Sequence, residues 1–263
     1  MSGNKRRSPG AAGAASDSWE HVAGWYDGWV GTHGSRYHQA LAIPTVLDLL
    51  DPQRGENILD VGAGQGVLSP YIAARGAYYT GVDASPRLIG LARQRHGAAG
   101  RFVVGDARRL RSAPELRAQG YDAAVFLLSI QDMDPLEPIF GSLDWALRPS
   151  SRVVVLMTHP SFRQPRHAGW GFDPGRGLVY RRVDAYLTAM AVPMKAIGGG
   201  APTRSFHRPL SSYVNGLAAF GFAVDAMLEL PDLSGEGRPR GRRPETRADA
   251  EIPLFLALRA RRG

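Results

Sequence analysis

Ile58-Leu59-Asp60-Val61-Gly62-Ala63-Gly64-Gln65-Gly66 decides how the rest of the chain is read. A short apolar run passes into three glycines at alternate positions, and a helical pattern follows over residues 67–75. Glycines at such a turn let the chain reverse sharply while a ligand approaches its backbone. Asp83 stands 21 residues after Gly62, at the end of a second apolar run over 78–82. An acid at that position meets the two hydroxyls of a ribose. A third acid, Asp106, follows the run 101–104 within Val104-Gly105-Asp106-Ala107. In the dinucleotide fingerprint the third glycine falls one residue later and serves a pyrophosphate. The closer spacing here suits a nucleoside without phosphate, with Asp83 on the sugar and Asp106 and its backbone toward an adenine edge.

Outward from this motif, strand and helix alternate. Strands are expected at 57–61, 78–82, 101–104, 121–128 and 152–157, with helices at 67–75, 86–95 and 136–147. The run 121–128 is almost wholly apolar, as befits a strand buried on both faces of a parallel sheet. Before the motif, Trp19, Trp25, Tyr26, Trp29 and Tyr37 precede a helical spacing of Leu41, Val46, Leu47 and Leu50, with Pro44 near its first turn. The rhythm stops after Met157, and residues 159–208 carry Gly, Pro, Arg and aromatics with little periodicity. A helix over 209–220, closed by Gly221, and strands at 222–228 and 252–259 complete the chain. The last two strands have no helix between them, which requires one antiparallel strand. The expected class is therefore α/β: a mostly parallel sheet of seven strands, helices on both faces, and an insertion after strand five.

The 263 residues, 44% hydrophobic and 21% charged, suffice for one such domain with an insertion. Cysteine is absent, which removes disulfides, Cys-based metal sites and thiol nucleophiles. No His/Asp/Glu cluster has ligand spacing, so no metal is expected. No apolar run reaches the roughly 18 residues of a spanning helix, and residues 1–16 read as a disordered basic leader without an apolar signal core. The expected location is the cytoplasm. The net charge of +8 lies mostly outside the body: residues 1–16 carry +3, residues 17–232 carry 21 cations against 20 acids, and residues 233–263 carry eight against four. That distribution argues against a nucleic-acid surface on the folded body.

Residues 57–107 resemble motifs I to III of the class I S-adenosylmethionine-dependent methyltransferases. The likeness extends over roughly 19–158 and 209–260, and is nearest to the small-molecule, quinone-biosynthesis-like (type 11) branch. It implies a Rossmann-like sheet whose last strand is antiparallel, with S-adenosyl-L-methionine as cofactor. It also implies that Asp60, Gly62, Ala63, Gly64 and Gly66 frame the methionine part, that Asp83 and Ala84 meet the ribose, and that Asp106 and Ala107 meet the adenine. Ser129 and Gln131 would flank the sulfonium, and Tyr26 would close over the methionine carboxylate. Residues 17–158 with 209–263 would form the cofactor domain and 159–208 a cap over the acceptor.

The cap holds eight cations against Asp173 and Asp184. Arg163 and Arg166 are expected to bind a carboxylate or phosphate on a small-molecule acceptor, with Trp170 and Tyr180 against its planar or apolar body. An oxygen or nitrogen acceptor benefits from a general base near neutral pH; His159, just after strand five, is the first candidate and His207 the second. Two other readings stay open at this stage: an RNA methyltransferase, and a non-catalytic cofactor-binding regulator. Against the first, Ser129-Ile130-Gln131-Asp132 stands where an Asn/Asp-Pro-Pro-aromatic tetrad would be required.

Overall fold

The computed structural model describes residues 19–194, 203–233 and 247–263. The expected leader and Arg238, Arg240, Arg242 and Arg243 lie outside the described residues, as does Lys195 of the cap. Among the described residues, eleven strands and seven α-helices follow one another. The first half runs α1 (Ala23–Val30), α2 (Ile43–Leu50), β1 (Asn57–Val61), α3 (Ser69–Ala73), β2 (Tyr78–Asp83), α4 (Pro86–His96), β3 (Arg101–Val104) and β4 (Tyr121–Leu127). Then come α5 (Leu136–Ala146), β5 (Leu147–Thr158), β6 (Ala168–Asp173), β7 (Leu178–Val183), β8 (Met190–Pro193) and β9 (Arg204–His207). The chain closes with α6 (Leu210–Ala218), β10 (Phe222–Leu230), α7 (Arg247–Glu251) and β11 (Phe255–Arg262).

Seven strands form one sheet in the order β10-β11-β5-β4-β1-β2-β3. Only β11 runs against its neighbours, pairing antiparallel with both β10 and β5. Alternate residues of each central strand point to opposite faces, and each face has its own core. Leu59, Phe126, Val153 and Val155 join α5 and α6 on one side, whereas Ile58, Val125, Val154 and Leu156 join α2, α3 and α4 on the other. This is why β1, β4 and β5 read as unbroken apolar runs.

Several boundaries differ from the sequence expectation. The helix expected over 67–75 is α-helical only over Ser69–Ala73, because the chain leaves the glycine loop through tight turns (Ser69 N to Gly66 O, Tyr71 N to Leu68 O) before α3 closes at Gly76. By contrast α4 starts where expected: Ser85 caps it by accepting from Leu88 N at 3.2 Å, and Pro86 fills its first position. β5 begins five residues early, at Leu147, which pairs with Tyr121 across an irregularity. β11 is displaced to Phe255–Arg262, since α7 occupies residues just before it and the long β5 carries the pairing on to Arg261.

The largest difference is in 159–208, expected to be irregular. It contains two antiparallel hairpins, β6–β7 and β8–β9. β7 alternates between exposed and half-buried positions, but both kinds carry mixed residue types (Val179, Arg181 and Val183 inward; Leu178, Tyr180 and Arg182 outward). A two-stranded ribbon over a surface buries too little for its period of two to show as hydrophobicity. Among the described residues no helix is long and apolar enough to cross a membrane.

Candidate active site

The glycine loop, the end of β2 and the segment after β4 together wall a cleft that is open on one side to solvent. Gly62 N and Ala63 N donate to Val82 O at 2.8 and 3.0 Å, which ties the loop to β2. Gly62 has φ 75°, and a Cβ there would lie 2.6 Å from both Ser129 Cβ and Met133 Cε. Gly66 has φ 79°, and its Cβ would meet the Phe102 ring at 2.4 Å. Gly62 thus lets the loop approach the post-β4 segment, while Gly66 seats the loop on β3 and does not line the cleft.

Asp83 lines the cleft and is already organised by backbone: Oδ2 accepts from Gly64 N and Oδ1 from Ser85 N, both at 2.9 Å. Burial raises its carboxyl, with those two amides opposing. Each oxygen retains a lone pair for a hydroxyl donor. Asp106 also lines the cleft and receives Arg108 Nη2 at 2.7 Å and Nε at 3.0 Å. Burial alone would raise it, but the guanidinium holds it below the ordinary carboxylate range. Ala84, Ala107 and Ser129 are on the same wall, Ser129 Oγ donating to Val61 O at 2.7 Å.

Tyr26 of α1 faces the loop from the other side, 3.5 Å from where a Cβ of Gly64 would be, and burial pushes its hydroxyl upward. Three links hold α1 there. Arg95 forks onto Asp27, Gln65 donates to Gly31 O, and Glu20 accepts from Ser85 Oγ and Arg87 N.

Asp60 does not reach the cleft. It lies buried behind the loop, its Oδ2 accepting from Tyr79 at 2.7 Å and its Oδ1 without a partner, and burial pushes it up to about 7. Ala63 is likewise buried away from the lining. Gln131 is also misplaced by the sequence reading: Leu128, at φ 55°, starts a tight turn over Ile130–Asp132 that puts Asp132 on the cleft wall. Gln131 faces a second, smaller cavity of about 260 Å³ between β5, β9 and the first residues after β5. The sequence reading missed Asp132, Asp134, Arg108 and Trp19, all of which line the main cleft. Asp132 was within the quoted Ser129–Asp132 tetrad, but only the turn's geometry says which residue faces in.

Both candidate histidines line the second cavity. His159 Nδ1 accepts from Ser161 N at 3.1 Å, so its proton sits on Nε2, which donates to Glu229 Oε1 at 3.0 Å. Burial lowers its basicity against the pull of Glu229. With both ring nitrogens engaged, His159 is a poor general base, contrary to expectation. His207 donates Nε2 to Tyr186 O at 2.7 Å and is also lowered by burial.

Of the expected acceptor contacts, Arg163 lines the second cavity, its guanidinium 4.5 Å over the Phe255 ring and Nη1 buried without a hydrogen bond. Arg208 lines it too, with Nη2 on Met133 O at 2.6 Å and Nη1 unbonded. Arg166, Trp170 and Tyr180 line neither cavity. Arg166 is exposed and donates to Pro193 O, Trp170 is covered by Arg181 at 5.0 Å, and Tyr180 faces solvent at 48% exposure. Trp170 and Tyr180 are carried away from the cavities by the hairpin β6–β7, and Arg166 by the turn just before it.

Comparison with known proteins gives a consistent picture. Residues 58–150 match the family described as a methyltransferase domain. The chain is 30% identical over 142 residues to the ubiquinone biosynthesis O-methyltransferase of Xylella fastidiosa, covering 52% of this chain and 56% of that one. It spans about half the length of the curated relatives it matches. A crystal structure of an S-adenosylmethionine-dependent methyltransferase from Mesorhizobium loti superposes with a TM-score of 0.68 at 24% identity, over 88% of this chain and 100% of that chain. The Burkholderia thailandensis 1,6-didemethyltoxoflavin-N1-methyltransferase, solved with its substrate and S-adenosylhomocysteine, superposes with a TM-score of 0.52 at 19% identity, over 98% of this chain and 93% of that one.

Proposed function

We propose, for a chain that carries a class I S-adenosylmethionine-dependent methyltransferase domain, methyl transfer to an oxygen, nitrogen or carbon atom of a small molecule. The observation that carries this reading is electrostatic. The main cleft is lined by four acids and one guanidinium in a chain of net charge +8, and a bound cation would draw Asp132, mostly protonated near neutral pH without one, into its ionised form. Such a local reversal of sign suits a cationic ligand. When bound, S-adenosylmethionine supplies an electrophilic methyl group on a positively charged sulfur.

The residues present fit that cofactor. The backbone of Gly62 and Gly64 would hold its amino-acid end, Asp83 its ribose hydroxyls, and the Asp106–Ala107 turn its adenine, with Leu88 and Val82 as apolar floor. Tyr26 and Trp19 would cover it and exclude water. Asp60 and Gly66 support the loop from behind. The protein's contribution is mainly to fix two reactants at attacking distance.

Residues 17–158 with 209–263 are read as the cofactor-holding domain and 159–208 as a cap. The second cavity, with Arg163 and Arg208, would receive an anionic part of the acceptor. A cytoplasmic place of work accords with this reading. Incubation with S-adenosylmethionine carrying a labelled methyl group, plus separated small-molecule and RNA fractions of a bacterial extract, tests it. Label is expected in the small-molecule fraction; label in RNA would favour the nucleic-acid reading instead.

A further inference from the structure

The cleft's four carboxylates are not equivalent. Asp83 is held by two backbone amides, Asp106 by Arg108, and Asp134 by Arg208. Asp132 makes no ion pair among the described residues; the Ser205 hydroxyl on β9, which donates to Gln131 O at 3.5 Å, lies close enough to favour its ionised form. Its position is also distinctive. It ends the tight turn Ile130–Asp132, between Ser129 and Met133 on the cleft side, and Gln131 on the side of the second cavity. Ser205 lines the second cavity as well. Asp132 therefore stands where an acceptor entering under the cap would meet whatever occupies the main cleft. Of the two histidines that could have competed for the role, His159 has both ring nitrogens engaged, by Ser161 N and Glu229, and His207 lines the second cavity and not the main cleft.

We propose that Asp132 takes the proton of the atom being methylated, an inference that rests on the methyltransferase reading. As the bond from that O or N atom to the methyl carbon forms and the sulfur–carbon bond breaks, the O–H or N–H proton passes to the Asp132 carboxylate. The sulfur departs as a neutral thioether, so charge and atoms balance without a further reactant. Desolvation places the carboxyl at about 8, the Ser205 hydroxyl pulling it down, which is a suitable strength for a base working near neutral pH. Tyr26 on α1 and Tyr213 on α6 couple to it, Asp83, Asp106, Arg108 and Asp134 share its cleft wall, and Arg208, just after β9, binds the neighbouring Met133 O. A sulfonium beside the carboxylate would lower its pKa, whereas a neutral thioether would not.

The test is a titration of the full chain labelled with carbon-13 at the aspartate carboxyls, with Asp132→Asn assigning the signal. In complex with S-adenosylhomocysteine, one aspartate is expected to titrate near 8. With S-adenosylmethionine the same signal should fall by about one unit or more. Ser205→Ala should move it upward, a change that does not depend on Asp132→Asn folding. Turnover on whichever of catechol, aniline and imidazole is methylated fastest should drop about 100-fold in Asp132→Asn, with affinity for S-adenosylhomocysteine within about threefold. If both ligands bind but Asp132 titrates like an ordinary carboxyl, or responds equally to both, the proposal is overturned and the methyltransferase reading survives. If neither ligand binds, both fall together.

Discussion

The two cavities at the carboxyl end of the sheet are built on opposite terms. The main cleft is shaped by backbone: a glycine loop, two amides on Asp83, and four acids facing inward. The second is shaped by side chains that converge from β5, the cap and the start of α6, and it shows Arg163, Arg208 and two histidines with no acid. The first follows from residues close in sequence, because strand ends and turns fix where their neighbours point. The second depends on closures between residues some 75 positions apart, such as Arg208 to Met133 and His159 to Glu229. Both cavities need long-range closures, Ser129 to Val61 in the first spanning 68 positions, but in the first these join strand ends whose places the apolar runs already mark.

The sharpest way to break this contrast is Gly62→Ala. The new Cβ would combine a positive φ with 2.6 Å contacts to Ser129 and Met133, at a cost of about 2–5 kcal/mol. Thermal unfolding should show a fall of roughly 5–15 °C, and the cofactor site should lose its shape with it. A fall under a degree would mean that the loop yields easily and is not the rigid part.

Next in size, Asp83→Ala should weaken binding of S-adenosylhomocysteine about 10- to 100-fold, read by calorimetry. Arg163→Met, which keeps the packing on Phe255, should leave that affinity within about twofold. Equal losses in both variants would erase the division between the cavities.

The same contrast explains what the sequence made legible. A mostly parallel seven-stranded sheet with its last strand antiparallel followed from Ile58–Val61 and its successors, since strands buried on both sides leave continuous apolar runs. Asp83, Asp106, Ser129 and Tyr26, expected at the cofactor, all line the cleft because each stands at or near a strand end or on a helix next to the loop. Gln131 was mistaken for Asp132 because a one-residue rotation in a tight turn leaves no trace in composition. His159 was chosen for its place after β5, but its role is settled by Glu229, 70 positions away. Trp170 and Tyr180 belong to a hairpin whose alternation is hidden by mixed polarity.

A smaller effect concerns pH. Asp60 sits at about 7 in the fold, against about 4 for an unfolded aspartate. Folding therefore takes up a proton between those values, and stability declines as pH rises from about 4 to about 7, then levels. Asp60→Asn should reduce that slope, leaving the part that Asp132, at about 8, contributes, while keeping an acceptor for the Tyr79 hydroxyl, as urea midpoints between pH 5 and 8 would reveal. An unchanged slope would place the ionisation elsewhere.

Smallest of all on the cofactor side, His159→Asn should leave affinity for S-adenosylhomocysteine within about twofold while lowering the melting temperature by about 2–4 °C per kcal/mol of lost bonding to Glu229 and the following turn. A large loss of affinity with unchanged stability would place His159 at the cofactor, where neither the sequence nor the fold puts it.

Calorimetry of the full chain with S-adenosylmethionine and, in parallel, with a dinucleotide such as NAD bears most directly on what the loop holds. One saturable site for the sulfonium nucleoside and no heat from the dinucleotide is the expected outcome. Heat from the dinucleotide, with none from S-adenosylmethionine, would mean that the glycine loop serves phosphates after all.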